Sequence, residues 1–162
     1  MKKTKKLATL SLAVALAMVL SFVESQIPVF VAIPGVKIGL ANIAVIFTLY
    51  KLGWKEAVAV SLVRVALVAL LFGSFVSMLY SICGAVLSLA VMIILKSLRS
   101  VGKIAVSVCG GVCHNVGQII MASLIMETNV IIYYLPFLLL SGTIAGIAIG
   151  LAAALIISRV KL

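Results

Sequence analysis

Six long apolar runs, divided by short clusters of lysine and arginine, constrain this chain more than any other feature. They occupy about residues 7–23, 38–50, 56–72, 75–95, 104–126 and 134–158. A helix needs roughly 20 apolar residues to cross the hydrocarbon of a bilayer, and most of these runs approach that length. A water-soluble fold could not hide them: of 162 residues, 65% are apolar and 10% are charged. Ordinary soluble domains carry about 25% charged residues, and small ones bury only a limited share of their surface. The expected fold class is therefore an all-α integral membrane bundle of about six transmembrane helices, with residues 1–162 forming one transmembrane domain. The second run is short, so its start is expected below the membrane surface.

The net charge of +10 would fit nucleic acid if the basic residues formed a stripe with interleaved aromatics. They do not. Lys2, Lys3, Lys5 and Lys6 precede the first run, Lys51 and Lys55 separate the second and third, and Lys96, Arg99 and Lys103 separate the fourth and fifth. Arg159 and Lys161 follow the last run, while the alternate loops hold only Lys37. The positive-inside rule then predicts both termini in the cytoplasm and an even number of spans. The lysine-rich start imitates a signal peptide, but no small-x-small cleavage site follows, so an uncleaved first helix is expected. The protein is expected in the bacterial cytoplasmic membrane, with no nucleic-acid partner.

Polar side chains inside apolar runs are expensive in lipid and mark candidate sites. Arg64 lies near the middle of the third run, where insertion scales assign arginine roughly 2.5–3.5 kcal/mol. It is either a structural partner of carbonyls or an anchor for an anionic or carbonyl-bearing ligand. His114, Asn115 and Gln118 lie mid-run in the fifth helix, and His114 and Gln118, four apart, share a face. In the predicted topology Glu24, Lys37, Asn42, Tyr80 and Ser81 collect in the outer half, with Glu127, Asn129, Tyr133 and Tyr134. That distribution predicts a pocket open to the outside rather than a pore, which would be polar along its whole length. Residues 28–39, with Pro34-Gly35, read as an irregular segment suited either to a lid or to a plain connection. Small residues spaced by four, Gly142/Gly146/Gly150 and Ala13/Ala17, permit close helix packing, within the bundle or against another membrane subunit.

Catalytic signals are sparse. The three acids are Glu24, Glu56 and Glu127, with no aspartate and no Walker motif. Magnesium-diphosphate chemistry recruits clustered carboxylates, and the sequence offers none. Cys83, Cys109 and Cys113 all lie in apolar runs, where cysteine behaves as a small apolar residue. We therefore expect no metal, no cofactor and no catalysis.

Several stretches also carry a family likeness. They are Glu24-Ser25, residues 33–42 (Ile-Pro-Gly-Val-Lys-Ile-Gly-Leu-Ala-Asn), Arg64, residues 71–75 (Leu-Phe-Gly-Ser-Phe) and Tyr80-Ser81 with Gly84. His114-Asn115 with Gln118 and Tyr134-Leu135-Pro136 with Ser141-Gly142 complete the set. Together they span nearly the whole chain and resemble the Gx transporter family, also labelled heptaprenyl diphosphate synthase component I. That family is similar to the substrate-binding S components of energy-coupling factor transporters. The resemblance implies a six-helix membrane protein that captures a small molecule near the outer face. It would dock through helix 1 onto a membrane subunit driven by cytoplasmic ATPases, and Ala13 and Ala17 are the positions that match such a docking face. Prenyl diphosphate synthases share aspartate-rich motifs that this chain lacks, so the synthase label implies an accessory subunit.

The resulting expectation is a membrane subunit that binds a vitamin, cofactor precursor or isoprenoid-like compound. Arg64, Asn42, His114, Asn115, Gln118 and Tyr80 would supply the site, with Lys37 and Glu24 at its mouth. The alternative is a non-catalytic membrane accessory subunit of heptaprenyl diphosphate synthesis.

Overall fold

A computed structural model describes residues 3–26, 39–98, 100–128 and 130–160. Among these the chain is all-helical: α1 (Lys3–Gln26), α2 (Asn42–Lys51), α3 (Trp54–Leu71), α4 (Phe75–Ser97), α5 (Lys103–Met126) and α6 (Leu135–Arg159). A short 3₁₀ turn, Val130–Tyr134, precedes α6. The helices start and stop where the sequence supplies the chemistry. Gly53, at φ 128°, makes the sharp reversal between α2 and α3 that an L side chain would resist. The Ser74 side chain caps α4 by accepting from the Ser77 amide at 3.1 Å. Pro136 sits in the first turn of α6, where a missing N–H does no harm.

Helix α1 runs past the expected 7–23 at both ends, because lysine is a good helix former and its long stem lets the charge reach water. Helix α2 starts at Asn42 rather than at residue 38, because Gly39 takes φ 88° and residues 40–41 form a turn. Four segments are long and apolar enough to cross a membrane: Lys3–Gln26, Phe75–Ser97, Lys103–Met126 and Val130–Arg159. Against the expectation of about six spans, the described residues form six α-helices, of which four qualify as spans by length and composition. Helix α2 has 10 residues, about 15 Å at the usual rise. Helix α3 has 18 and carries Lys55, Glu56 and Arg64.

Core packing pairs the helix ends. Leu49, Ala57, Met92, Val106 and Ile157 share one apolar cluster. It joins the end of α2, the start of α3, the end of α4, the start of α5 and the end of α6. Tyr80, Ile119, Ala122, Ile131 and Leu138 form a second cluster at the opposite end of α4, α5 and α6. Lys6 pairs with Glu56, which brings the start of α1 to the same end as the first cluster. Successive helices therefore alternate in direction, and Lys6, Lys51, Lys55, Lys96, Lys103 and Arg159 gather at one end of the molecule. There the Lys96 ammonium donates to the Leu49 carbonyl and lies 5.3 Å from the Tyr50 ring centre. Large apolar side chains remain exposed along the helices, among them Leu12, Leu70, Val86, Leu124, Leu140 and Leu155. Such a belt suits a lipid-facing exterior and would be a liability in water.

Glycines set the closest approaches. A Cβ on Gly146 would lie 2.6 Å from Val108 Cα, and one on Gly150 would lie 2.9 Å from Ser107 Cβ. The four-residue glycine ladder of α6 is thus consumed by α5, within the bundle. Ala13 and Ala17 are also turned inward, and Ala17 packs with Ala41 and Ala44 at the start of α2. The outer docking face expected at that pair is occupied by the chain's own helix. Small residues of α1 that remain exposed at a spacing of four include Ser11 and Ala15.

Candidate functional site

Five helices converge on a polar pocket in the half of the bundle away from the basic end. The last turns of α1 supply Ser21 and Glu24, and the start of α2 supplies Asn42 beside Gly39. Arg64 comes from α3 with Val65, Val68 and Ala69, Ser77 and Ser81 come from α4 with Met78, and His114 comes from the middle of α5. The free space at its centre is about 20 Å³, enough for a single water-sized group.

Backbone shape positions several of these groups. Gly39 donates its N–H to the Glu24 carboxylate, which ties the end of α1 to the entry of α2. A Cβ on Gly39 would lie 3.0 Å from the Asn42 Nδ2, so the missing side chain leaves room for that amide. Gly84 does the same for His114: a Cβ there would approach the imidazole Cε1 to 2.9 Å. Without Gly84, α5 could not bring His114 this close to α4.

Arg64 dominates the electrostatics. It is 8% exposed, its charge is attracted by that of Glu24, and its Nε has no hydrogen-bond partner among the described residues. The neighbours Asn42, Ser21, Ser77 and Ser81 can all turn a hydrogen toward the pocket. A guanidinium surrounded by such groups can hold a carboxylate, a phosphate or a carbonyl through charge-assisted hydrogen bonds.

The structure brings together four of the expected site residues: Arg64, Asn42, His114 and Glu24. Glu24, expected at the mouth, is buried in the pocket wall. Asn115 turns the other way, and its Nδ2 donates at 2.7 Å to the Leu138 carbonyl of α6. Gly142 makes room for that amide, since a Cβ there would lie 2.8 Å from it. Gln118 is buried in α5 but does not line the pocket, and Tyr80 is packed in the apolar cluster near the 3₁₀ turn. Lys37, Asn129 and the segment 28–38, read as a lid or connection, lie outside the described residues. Ser21 and Ser77 are additions that sequence reasoning did not place in the site. Their signal was the spacing Ser21/Glu24 and Ser77/Ser81, which aligns each pair on one helix face.

Among the described residues no three of histidine, cysteine, aspartate and glutamate gather where a metal could be held. A second hollow, about 490 Å³ and open, runs between α1 and α3 on the exterior, lined by Leu10, Ser11, Val14, Ala15, Met18, Ala59, Val60, Val63 and Leu67. Its apolar lining matches acyl chains.

A family model described as heptaprenyl diphosphate synthase component I matches residues 13–156. No curated protein and no solved structure matches the chain.

Proposed function

This chain belongs to the heptaprenyl diphosphate synthase component I family, and on that premise we propose that it is a non-catalytic membrane subunit that holds a partner synthase at the bilayer. A component I implies a second component. The observation that supports this role is the gathering of Lys6, Lys51, Lys55, Lys96, Lys103 and Arg159 at one end of the bundle. With both termini in the cytoplasm of a bacterial cell and six helices traversing the membrane, that end faces the compartment where soluble synthases work. Clustered cations steer and hold acidic partners. Catalysis falls to the partner, since the chain has no aspartate and Glu24 and Glu56 stand at opposite ends of the bundle.

The test is capture from the native membrane in mild detergent. A prenyl synthase should co-purify with the wild-type chain and be depleted about tenfold when Lys51, Lys96 and Lys103 become glutamate. Equal recovery of a synthase with the charge-reversed protein, or none with either, would sink this reading.

A second reading is favoured by the polar pocket in the half away from the basic end. Here the chain is a transporter's capture subunit for a vitamin, cofactor precursor or isoprenoid-like compound. Its docking face on a coupling subunit with ATPases would be the exposed Ser11/Ala15 side of α1. Loss of uptake of such a compound on deleting the chain, restored by wild type and not by Arg64→Ala, would establish it. Unchanged uptake in the deletion strain would remove it.

A further inference from the structure

Arg64 is a full positive charge in the apolar middle of a bundle, and its burial demands an anion or a dense set of acceptors. Among the described residues that demand is left open at the guanidinium Nε. Glu24 attracts it electrostatically. One carboxylate oxygen of Glu24 is committed to the Gly39 amide. The guanidinium Nε, buried and without a hydrogen-bond partner among the described residues, belongs to a side chain lining the pocket. Two further features favour negative charge there. Asn42 is the first residue of α2, a helix start with no side-chain cap, and the positive end of its dipole lies at the pocket. Ser77 belongs to the first turn of α4 and adds a second helix start.

We infer that the pocket binds an oxyanion, a carboxylate or phosphate group of its ligand, on the Arg64 guanidinium, with Glu24 as the resident counter-ion that the ligand displaces. The small central space fits the head of such a ligand, and the rest of it must lie elsewhere. A planar guanidinium receives either oxyanion through two parallel N–H bonds, whereas a single ammonium could not. Glu24 is a competitor in this arrangement. Removing its charge therefore strengthens anion binding, the opposite of what a ligand-contacting carboxylate would do. The inference deepens the reading of this pocket as a ligand site and is independent of partner capture: a chain that loses synthase capture can still pass the test below, and the reverse.

The experiment uses the full chain in phosphatidylcholine nanodiscs, titrated with sodium phosphate or sodium acetate at constant ionic strength set by chloride. Unfolding is followed with a thiol-reactive dye on Cys83, Cys109 and Cys113, which are half-buried. The expected result is a rise in the unfolding midpoint with at least one oxyanion, and which one responds assigns phosphate or carboxylate. Glu24→Gln, which can still accept from the Gly39 amide, should reach the same shift at about tenfold lower anion concentration. Arg64→Gln should abolish the response, and Lys103→Gln, at the basic end, should keep it. Should Arg64→Gln fail to fold, Arg64→Lys, which keeps charge but not the fork, should weaken the response about tenfold. No response to either anion in the wild type, a wild-type response in both Arg64 variants, or a weakened response in Glu24→Gln would each overturn the inference.

Discussion

Arg64 and Asn115 are both polar groups buried in apolar helices, and they do different work. Asn115 has a committed partner, the Leu138 carbonyl, and links α5 to α6. Interhelical hydrogen bonds of this kind contribute about 0.6 kcal/mol on average and up to roughly 1.7 in membrane proteins. Asn115→Ala should lower the unfolding free energy by about that amount and leave the anion response intact, as measured by denaturant unfolding and dye-reported melting of the same protein. A lost anion response with unchanged stability would place Asn115 in the pocket instead. Gly84 offers a second test at this scale. Gly84→Ala puts a methyl group where the His114 imidazole and carbonyl lie, so overpacking should cost about 1–3 kcal/mol. It should also perturb the His114 ring, visible as a shift of its imidazole resonances in a specifically labelled sample. An unmoved resonance would break the link between Gly84 and His114.

Among the elements, α5 and α6 pack closely, and that closeness depends on absent side chains. Gly146→Val would drive a branched side chain into the Val108 backbone, which has no rotamer to yield. It should destabilise the bundle by at least about 2 kcal/mol. Gly102→Ala is the matched control, because no atom lies within 4 Å of a Cβ built there. Its stability should stay within about 0.5 kcal/mol of wild type. Similar melting of the two variants would show that α6 is not held by the glycine ladder. The same spacing explains α1: Ala17 has no exposed surface and lies against Ala41 and Ala44. Small residues four apart state that some helix comes close, and α2 is the helix that does.

The whole molecule has one strongly basic end and an apolar belt, so its placement in a membrane makes a topological prediction. In a variant whose three native cysteines are replaced by alanine, an impermeant maleimide should label Thr128→Cys in intact cells. Gly102→Cys should react only after permeabilisation. The opposite pattern would invert the protein and put the basic end outside, against the charge rule. Labelling of both sites in intact cells would mean that α5 does not cross. Helices α2 and α3 are sheltered inside the bundle: Val45, Ile46 and Leu49 of α2 and Ala57 and Val60 of α3 have almost no exposed surface. Helices sheltered by their neighbours need not satisfy the composition that lipid demands of an exposed span.

Reading the residues in order is enough to recognise a helical membrane protein, which end of each helix is basic, and which polar residues are anomalous. Those conclusions rest on one-dimensional quantities: run length, charge position and residue type. It also sufficed to name Arg64, Asn42, Glu24 and His114. Which way each one faces emerges from the packed helices. His114 and Asn115 are adjacent and so point about 100° apart on their helix, one into the pocket and the other toward α6. A helix apolar on nearly every side carries too little asymmetry for pattern reading to choose between those directions. The same limit hid the inward turn of Ala13 and Ala17 and the entry of Ser21 and Ser77 into the site. Their orientation is set by which neighbours the glycines allow to approach, a property of pairs of helices and not of any single stretch of chain.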